Sequence, residues 1–326
     1  MSADMSVTDM KGINISHNFD FSLLPRRAEV IEVCPRDGFQ NVQTFIPTAQ
    51  KIALLDDLAE AGFRTIEVTS FVSPKAIPQM ADAAEVMADF KRRHGAIEAV
   101  ALVPNVRGAE KAIDAGADVL NFVLSASESH NRENTRRTIE QSLSELAEVC
   151  RIREGKKGKK GKKIHVSVAT SFFCPFEGEV SGDAVLKVVE RALSLGCDGL
   201  SIADTTGTAH PVKVRDTLRA VRERYPEQKI VLHLHDTHGM ALVNTLVALG
   251  LGYDAFDAAV GGLGGCPFAP GAAGNVATED LLNFLGCLGI ETEVDFSKVL
   301  AVAQSIPGRL GVPLCSHLAA ARACKI

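Results

Sequence analysis

The 326-residue chain has no tryptophan, only two tyrosines, and no apolar run near the roughly 20 residues that a membrane-spanning helix needs. Its eight cysteines form no C-x-x-C pair and no regular spacing, which argues against a zinc ribbon or a disulfide framework. Basic residues are not in excess, and the formal net charge of -5 gives no reason to expect nucleic acid or an anionic membrane as a partner. With 46% hydrophobic residues, the composition predicts a soluble protein with a large core in a reducing compartment.

The two ends of the sequence carry no recognisable targeting signal. The opening MSADMSVTDMKG contains acidic residues and no apolar segment, unlike a signal peptide, and it is too acidic for a typical transit peptide. The final ACKI is not a peroxisomal S-K-L signal. We therefore expect a cytoplasmic location.

Short runs rich in Val, Ile and Leu alternate with longer amphipathic stretches, eight times in succession. Near-continuous apolar strands between helices indicate a parallel sheet covered by helices. Eight units predict an α/β fold of the (β/α)8 TIM-barrel type, with an open doubly wound sheet as the alternative. The predicted strands are Glu29–Cys34, Thr65–Val68, Ile97–Val103, Val119–Ser125, Ile164–Ser171, Gly199–Ala203, Ile230–His235 and Ala255–Val260; the predicted helices lie near 48–61, 79–94, 107–115, 134–154, 182–195, 211–224 and 239–250, with another from Thr278.

This pattern divides the chain into three parts. Residues 1–26 are an N-terminal extension, 27–286 form the catalytic barrel, and 287–326 are expected to form additional C-terminal helices packed on it. The Lys-rich run at 156–163 lies between the fourth helix and the fifth strand. It can be an anion-binding arm or a solvated loop at the non-catalytic end, and we favour the loop because like charges interleaved with glycine stay disordered.

Polar or reactive side chains follow five of the predicted strands, and catalysis in such barrels occurs where the strands end. His233 and His235 are two residues apart in a strand, so both imidazoles face the same side. Asp37, after the first strand, is the expected third ligand, because an anion lowers the cost of holding a dication, and Asn275 can offer an amide oxygen. Two imidazoles with oxygen ligands suit Mg or Mn.

Four further residues are candidates for chemistry. Arg36 can stabilise an enolate or a carboxylate as charge develops, although a surface ion pair is an equally reasonable reading of Arg36 alone. Cys266, in the Gly-rich stretch 261–275, is well placed to donate a proton, yet a loop cysteine is more often a bystander. Glu67 and Asp204 can act as base, as supports that orient ligands, or as rim ion pairs.

Several motifs in the same order resemble the 3-hydroxy-3-methylglutaryl-CoA (HMG-CoA) lyase family over roughly residues 27–326. The stretch from Val33 to Asn41 resembles the family's V-x-P-R-D-G-x-Q-N opening. The segments at 66–75 and 233–237 are also similar, and the run from Gly261 through Cys266 to Asn275 resembles the signature loop of the family with its cysteine.

This resemblance implies a Mg- or Mn-dependent (β/α)8 barrel that cleaves HMG-CoA to acetyl-CoA and acetoacetate. By position in the motifs, the metal ligands are Asp37, His233, His235 and Asn275; the catalytic candidates are Arg36, Cys266, His233, Glu67 and Asp204; and the substrate-binding candidates are Arg36, Gln40 and Thr205. The base that removes the substrate's hydroxyl proton is His233 or a nearby carboxylate. The family also suggests a CoA-thioester substrate and a homodimer, with no nucleic-acid or membrane partner.

Departures from the family pattern leave the substrate open. Met240 stands where better-known members have glutamine, and the segment at 169–177 lacks the family's C-x-x-G-C-P-Y-E-G pattern. The nearest alternative is a sister lyase acting on citramalyl-CoA or another 3-hydroxy-3-carboxymethyl-acyl-CoA. Barrels that condense acetyl-CoA with 2-oxo acids, and a non-catalytic metal-binding barrel, are less favoured alternatives.

Overall fold

The computed structural model describes residues 21–155, 162–265 and 274–323. Eight parallel strands close into a barrel in which each strand pairs with its neighbours along the chain. Their bounds are β1 Glu29–Glu32, β2 Thr65–Ser70, β3 Glu98–Val103, β4 Val119–Ser125, β5 Lys163–Ala169, β8 Gly199–Asp204, β9 Ile230–Leu234 and β10 Ala255–Ala258; the intervening β6 Phe173–Cys174 and β7 Gly178–Glu179 form a separate antiparallel hairpin. The predicted (β/α)8 barrel is confirmed.

Helices surround the barrel, and most of the hydrophobic core lies between them and the strands. The last two helices follow the eighth unit, and α10 packs against both α1 and α9. Among the described residues, every helix falls short of the length and apolar character that a membrane span requires. The helices are α1 Thr48–Glu60, α2 Ala83–Arg93, α3 Val106–Asp114, α4 Glu128–Thr135, α5 Ile139–Gly155, α6 Gly182–Ser194, α7 Pro211–Arg224, α8 Ala241–Gly250, α9 Thr278–Cys287, α10 Phe296–Leu310 and α11 His317–Ala323.

Three local differences from the sequence-based boundaries occur near the carboxyl ends of strands. The first strand ends at Glu32 rather than Cys34, because the backbone winds into one π-helical turn, Cys34–Gly38. The helix expected over 134–154 corresponds to α5, and a separate helix, α4, which was not predicted, precedes it. Arg136, with a left-handed φ of 60°, ends α4, and α5 begins at Ile139. The β6–β7 hairpin was not predicted, since each of its strands has only two residues.

The interior of the barrel contains a cavity of about 250 Å³. Most barrels of this type fill the interior with layers of Val, Ile and Leu. Here polar and ionisable side chains share the lining with Ile and Val; they include Glu67, Asn121, His165, Ser167 and Asp257. Glu67 and Asp257 lie in the upper part of the lining, so the cavity reaches the level of the predicted site.

Only the end of the Lys-rich run, Lys162 and Lys163, lies within the described residues. Residues 156–161 are outside the described ranges. Lys163 begins β5 and forms an ion pair with Glu98 at the start of β3, and Lys162 lies 3.6 Å from Asp118. These pairs place the end of the run at the amino-terminal face, opposite the predicted site.

Candidate active site and metal centre

The barrel brings Asp37, His233 and His235 to one point at its carboxyl rim, with one ligand atom of each lying within 4.8 Å of the others. His233 and His235 point inward because Leu234, between them, faces the outer core. Their Nε2 atoms are 3.0 Å apart, and Asp37 Oδ2 lies 3.9 Å from His233 Nε2 and 3.7 Å from His235 Nε2. Asp37 reaches them from the π-helical turn after β1.

The donor set fits a divalent cation. Asn275 lies beside the cluster, with its Nδ2 donating to Asp37 Oδ2 at 2.7 Å and its buried Oδ1 lacking any hydrogen-bond partner. That unsatisfied oxygen can serve as a neutral ligand after a small rotation or an amide flip. Two imidazoles, one carboxylate and one amide oxygen are ligands typical of a Mg or Mn site.

Charge around Asp37 keeps its side chain ionised. Burial opposes ionisation, but Arg36 and the two imidazoles outweigh it and hold the pKa of Asp37 well below its ordinary value. Gln40 also donates from Nε2 to Asp37 Oδ1 at 2.9 Å. Gln40 is therefore placed at the site, where its direct contact is with a candidate metal ligand.

Arg36 is buried and bridges two carboxylates. Its Nε donates to Glu67 Oε2 at 2.5 Å, and its Nη1 pairs with Asp37 Oδ1. Asn121 donates to the other Glu67 oxygen at 2.8 Å. Burial raises the pKa of Glu67, although Arg36 and Asn121 act in the opposite direction. The interpretation of Arg36 as a surface ion pair is wrong, because only 8% of the residue is exposed.

Asp257 is a site residue that the sequence analysis missed. It pairs in register with His233 across β10 and β9, and its Oδ2 lies 3.0 Å from His233 Nδ1. Burial lowers the pKa of His233, but Asp257 and Asp37 overcome that effect and raise it. With Nε2 directed at the cluster and Nδ1 bound to Asp257, neither ring nitrogen of His233 is left to act as a base. The signal in the sequence was an acidic residue inside an apolar strand.

Asp204 and Thr205 hold the loops around the site. The carboxylate of Asp204 accepts hydrogen bonds from the backbone N–H groups of Gly207, Thr208 and Ala209, at 3.0 to 3.3 Å. Thr205 Oγ1 accepts from the backbone N–H of Thr170 at 2.8 Å, which links the loops after β8 and β5. These contacts favour an orienting role for Asp204.

Two buried glutamates hold the start of the Gly-rich loop. Glu32 Oε1 accepts from the N–H groups of Cys34 (2.9 Å) and Val260 (3.0 Å), and Thr278 donates its hydroxyl to Oε2 at 2.7 Å. Glu279 Oε2 accepts from the N–H of Gly261 at 3.1 Å. Burial raises the pKa of Glu32 to about 8. The sequence analysis assigned no role to either glutamate.

Cys266 lies outside the described residues, but the chain leading to it passes over the site. A Cβ on Gly264 would lie 2.5 Å from Asn275 Nδ2 and 3.5 Å from Asp37 Oδ2. Gly264 has a φ of 128°, which favours glycine. Asn41 also donates to the carbonyl of Gly265 at 3.2 Å, which ties the loop to the segment after β1.

Comparisons with known proteins agree with this arrangement. The HMGL-like family model matches residues 27–306. The mitochondrial hydroxymethylglutaryl-CoA lyase of Rattus norvegicus is 42% identical over 303 residues, which cover 93% of this chain and 91% of the relative. A hydroxymethylglutaryl-CoA lyase of Bacillus subtilis (strain 168) is 41% identical, with 90% of this chain and 96% of the relative covered.

Solved structures give the same result. Hydroxymethylglutaryl-CoA lyase from Pseudomonas aeruginosa superposes with a TM-score of 0.88 at 37% identity, covering 93% of this chain and 100% of that chain. An HMG-CoA lyase from Acinetobacter baumannii, in complex with coenzyme A and 3-methylmalate, has a TM-score of 0.85 at 45% identity, covering 91% and 95%.

Barrel, rim site and relatives together define this protein as an enzyme of the lyase class. Within that class, the chain belongs to the HMGL-like family, as its sequence motifs predicted.

Proposed function

We propose that this enzyme cleaves the bond between carbons 2 and 3 of 3-hydroxy-3-methylglutaryl-CoA, giving acetyl-CoA and acetoacetate with the help of a divalent cation. The observation that carries the proposal is the convergence of Asp37, His233 and His235 at the rim, directly beside Arg36. The names of relatives about 40% identical over most of the chain support the substrate.

Asp37, His233, His235 and the Asn275 amide oxygen would hold Mg or Mn. When bound, such an ion lowers the pKa of the substrate's 3-hydroxyl by acting as a Lewis acid. The chain's own contribution is to fix the ligands, because Asp257 orients His233, and Arg36 with Gln40 orients Asp37.

The base that removes the hydroxyl proton is a carboxylate. His233 is disfavoured because both its ring nitrogens are committed, and the lowered pKa of Asp37 makes it a weak proton acceptor. Burial raises the pKa of Glu67, which makes its carboxylate a stronger proton acceptor than that of Asp37, and Glu67 contacts Arg36 at the site. We therefore assign the base to Glu67, with Asp204 orienting the neighbouring loop.

After deprotonation, the electron pair of the C2–C3 bond moves to carbon 2, while carbon 3 becomes the ketone of acetoacetate. Arg36 stabilises the negative charge on the resulting thioester enolate. The Cys266 thiol then delivers its proton to carbon 2, which completes acetyl-CoA. Gln40 and Thr205 are the remaining candidates for contact with substrate.

A sister activity on a branched or citramalyl-type thioester is the second candidate. The related Acinetobacter baumannii enzyme was solved with coenzyme A and 3-methylmalate, which is not a fragment of HMG-CoA. In this chain the β6–β7 hairpin follows β5 at the carboxyl rim, and it exposes Phe173 (40%) and Phe176 (49%). Apolar side chains at this rim suit a 3-hydroxy-3-carboxymethyl-acyl-CoA whose substituent at carbon 3 is larger than methyl; a citramalyl-type substrate, which also carries a single methyl, gains nothing from them.

Steady-state release of acetyl-CoA or another CoA product, measured across a panel of 3-hydroxyacyl-CoA thioesters with and without Mg or Mn, separates the two candidates. We expect the highest kcat/KM with HMG-CoA, no turnover after chelation, and a loss of turnover of at least 100-fold in Cys266→Ser. Inactivity on HMG-CoA alongside turnover of a citramalyl-type thioester would favour the sister activity, and full turnover by Cys266→Ser would remove the thiol from the mechanism.

A homodimer and a cytoplasmic location are kept as proposals; the bacterial relative from Bacillus subtilis supports the location, whereas the rat relative is mitochondrial. Sedimentation of the purified protein tests the first, and fractionation of the source cells tests the second.

A further inference from the structure

Two thiols from separate segments of the sequence contact each other at the end of the barrel opposite the catalytic rim, before the starts of β5 and β8. Cys150 lies near the end of α5, and Cys197 lies in the turn between α6 and β8. The side chains of Cys150 and Cys197 are within hydrogen-bond contact of each other, and neither forms a disulfide bond. The catalytic scheme uses neither of them.

The backbone around the pair is held in place by polar contacts. Arg153, one turn beyond Cys150, donates to Asp198 Oδ2 at 2.5 Å and to the carbonyl of Gly196 at 3.1 Å. The same Asp198 oxygen accepts from the N–H of Ile164 in β5 at 2.7 Å. Gly196 and Asp198, on either side of Cys197, are thus hydrogen-bonded to Arg153 of the helix that carries Cys150. These bonds hold the two thiols next to each other.

The two thiols differ in exposure. Cys150 is buried, at 6%, whereas Cys197 is partly exposed between the exposed residues Gly196 and Asp198. A small reagent can therefore reach Cys197 from solvent, and Cys150, which contacts it, is the more deeply buried of the two. This is the arrangement of an attacking thiol and a resolving thiol.

We propose that Cys150 and Cys197 form a redox-active dithiol site whose oxidant is a low-molecular-weight disulfide such as oxidised glutathione. The Cys197 thiolate attacks one sulfur of the oxidant and releases a first thiol, leaving a mixed disulfide. Cys150 then gives up its proton and attacks the Cys197 sulfur, releasing a second thiol. The protein loses two electrons and two protons, and the oxidant becomes two thiols.

The rate and effect of this reaction follow from the surroundings. The hydrogen bond with Cys150, followed by burial, raises the pKa of Cys197, so the first attack is slow at neutral pH. The second step is intramolecular and therefore fast. The new bond joins α5 to the start of β8, at the end of the barrel opposite the catalytic rim. We expect increased thermal stability with unchanged kcat.

The test compares the full-length, metal-loaded enzyme after incubation with oxidised glutathione or with dithiothreitol. We expect peptide mapping to find a Cys150–Cys197 cross-link, and Tm to rise by about 5 °C, since a cross-link closing a loop of this size constrains the unfolded chain. Dithiothreitol should reverse both changes. Cys150→Ser and Cys197→Ser should lose the cross-link and the shift in Tm, whereas Cys287→Ser, which removes an exposed thiol elsewhere, should retain them.

A glutathione adduct that persists on Cys197 of the wild-type protein without conversion to the cross-link would overturn the proposal. So would a cross-link that forms equally well from other cysteine pairs. Phenylarsine oxide, which needs two adjacent thiols, gives a second measurement that requires no variant. It should protect Cys150 and Cys197 together from alkylation, and alkylation of both in its presence would count against the site.

Discussion

Asp257→Asn is expected to weaken binding of Mn²⁺ by 10- to 100-fold. Asp257 Oδ2 lies 3.0 Å from His233 Nδ1 and holds the ring with its other nitrogen directed at Asp37 and His235. Loss of a carboxylate that orients a metal-binding histidine typically costs 10- to 100-fold in affinity, or roughly 1.4 to 2.7 kcal/mol. Asparagine keeps the shape but removes the charge, and its amide can present either an oxygen or an NH2 group to the ring.

Isothermal titration of metal-free protein with Mn²⁺ measures this effect without any catalytic turnover. Asp254→Asn is the matched control. It is the same substitution, three residues earlier in the chain, at an exposed position away from the metal ligands. We expect the control to bind Mn²⁺ as the wild type does. Equal affinity in Asp257→Asn and wild type, or equal weakening in both variants, would refute the assigned role of Asp257.

Three further substitutions probe other parts of the molecule. The pKa of Glu32 is about 8 in the folded protein and near 4.5 in the unfolded chain. The free energy of unfolding should therefore fall as pH rises between these two values. Glu32→Gln should flatten this pH dependence, as measured by urea titrations at several pH values. Thr170 is a buried β-branched residue with a φ of 51°, so Thr170→Gly should have a higher free energy of unfolding than Thr170→Ala by about 1 kcal/mol, as measured by denaturation, because only glycine adopts this φ without strain. Arg36→Lys replaces a fork that bridges two carboxylates with a single point charge, so kcat should fall by about 10²- to 10³-fold in steady-state assays.

Each of these three predictions can be contradicted by a specific result. An unchanged pH profile in Glu32→Gln would mean that Glu32 is ionised in the folded protein. Thr170→Ala keeps a Cβ at the positive φ, so equal stability of the alanine and glycine variants would show that this φ stores no backbone strain. An Arg36→Lys enzyme with normal kcat would show that the fork geometry is not needed.

The barrel and the His233–His235 pair could be predicted because both depend on periodicity. Alternating apolar runs define strands, and a spacing of two in a strand fixes which side chains share a face. Asp257 could not be found in this way, since its partner depends on the register between β10 and β9, which the sequence does not state. The role of Asp204 was ambiguous for a similar reason. Its partners are backbone N–H groups, which have no signature in the sequence.

The helix α4 escaped prediction for a different physical reason. Its sequence ESHNRENT has no apolar stripe, and its start is fixed by Ser127, whose hydroxyl accepts from the N–H of His130 at 3.3 Å. Capping and contacts with its neighbours stabilise this helix, not the burial of a hydrophobic face. Sequence periodicity therefore had nothing to detect there.

The cavity inside the barrel is lined in part by residues of the active site, whereas the hydrophobic core that stabilises the fold is formed mostly by other residues. A cavity of about 250 Å³ lies inside the barrel, and Glu67 and Asp257 are among the residues that line it. Most of the apolar burial lies instead between the strands and the surrounding helices. A substitution in the cavity lining can therefore change the surroundings of these two carboxylates while the outer shell of the barrel remains intact.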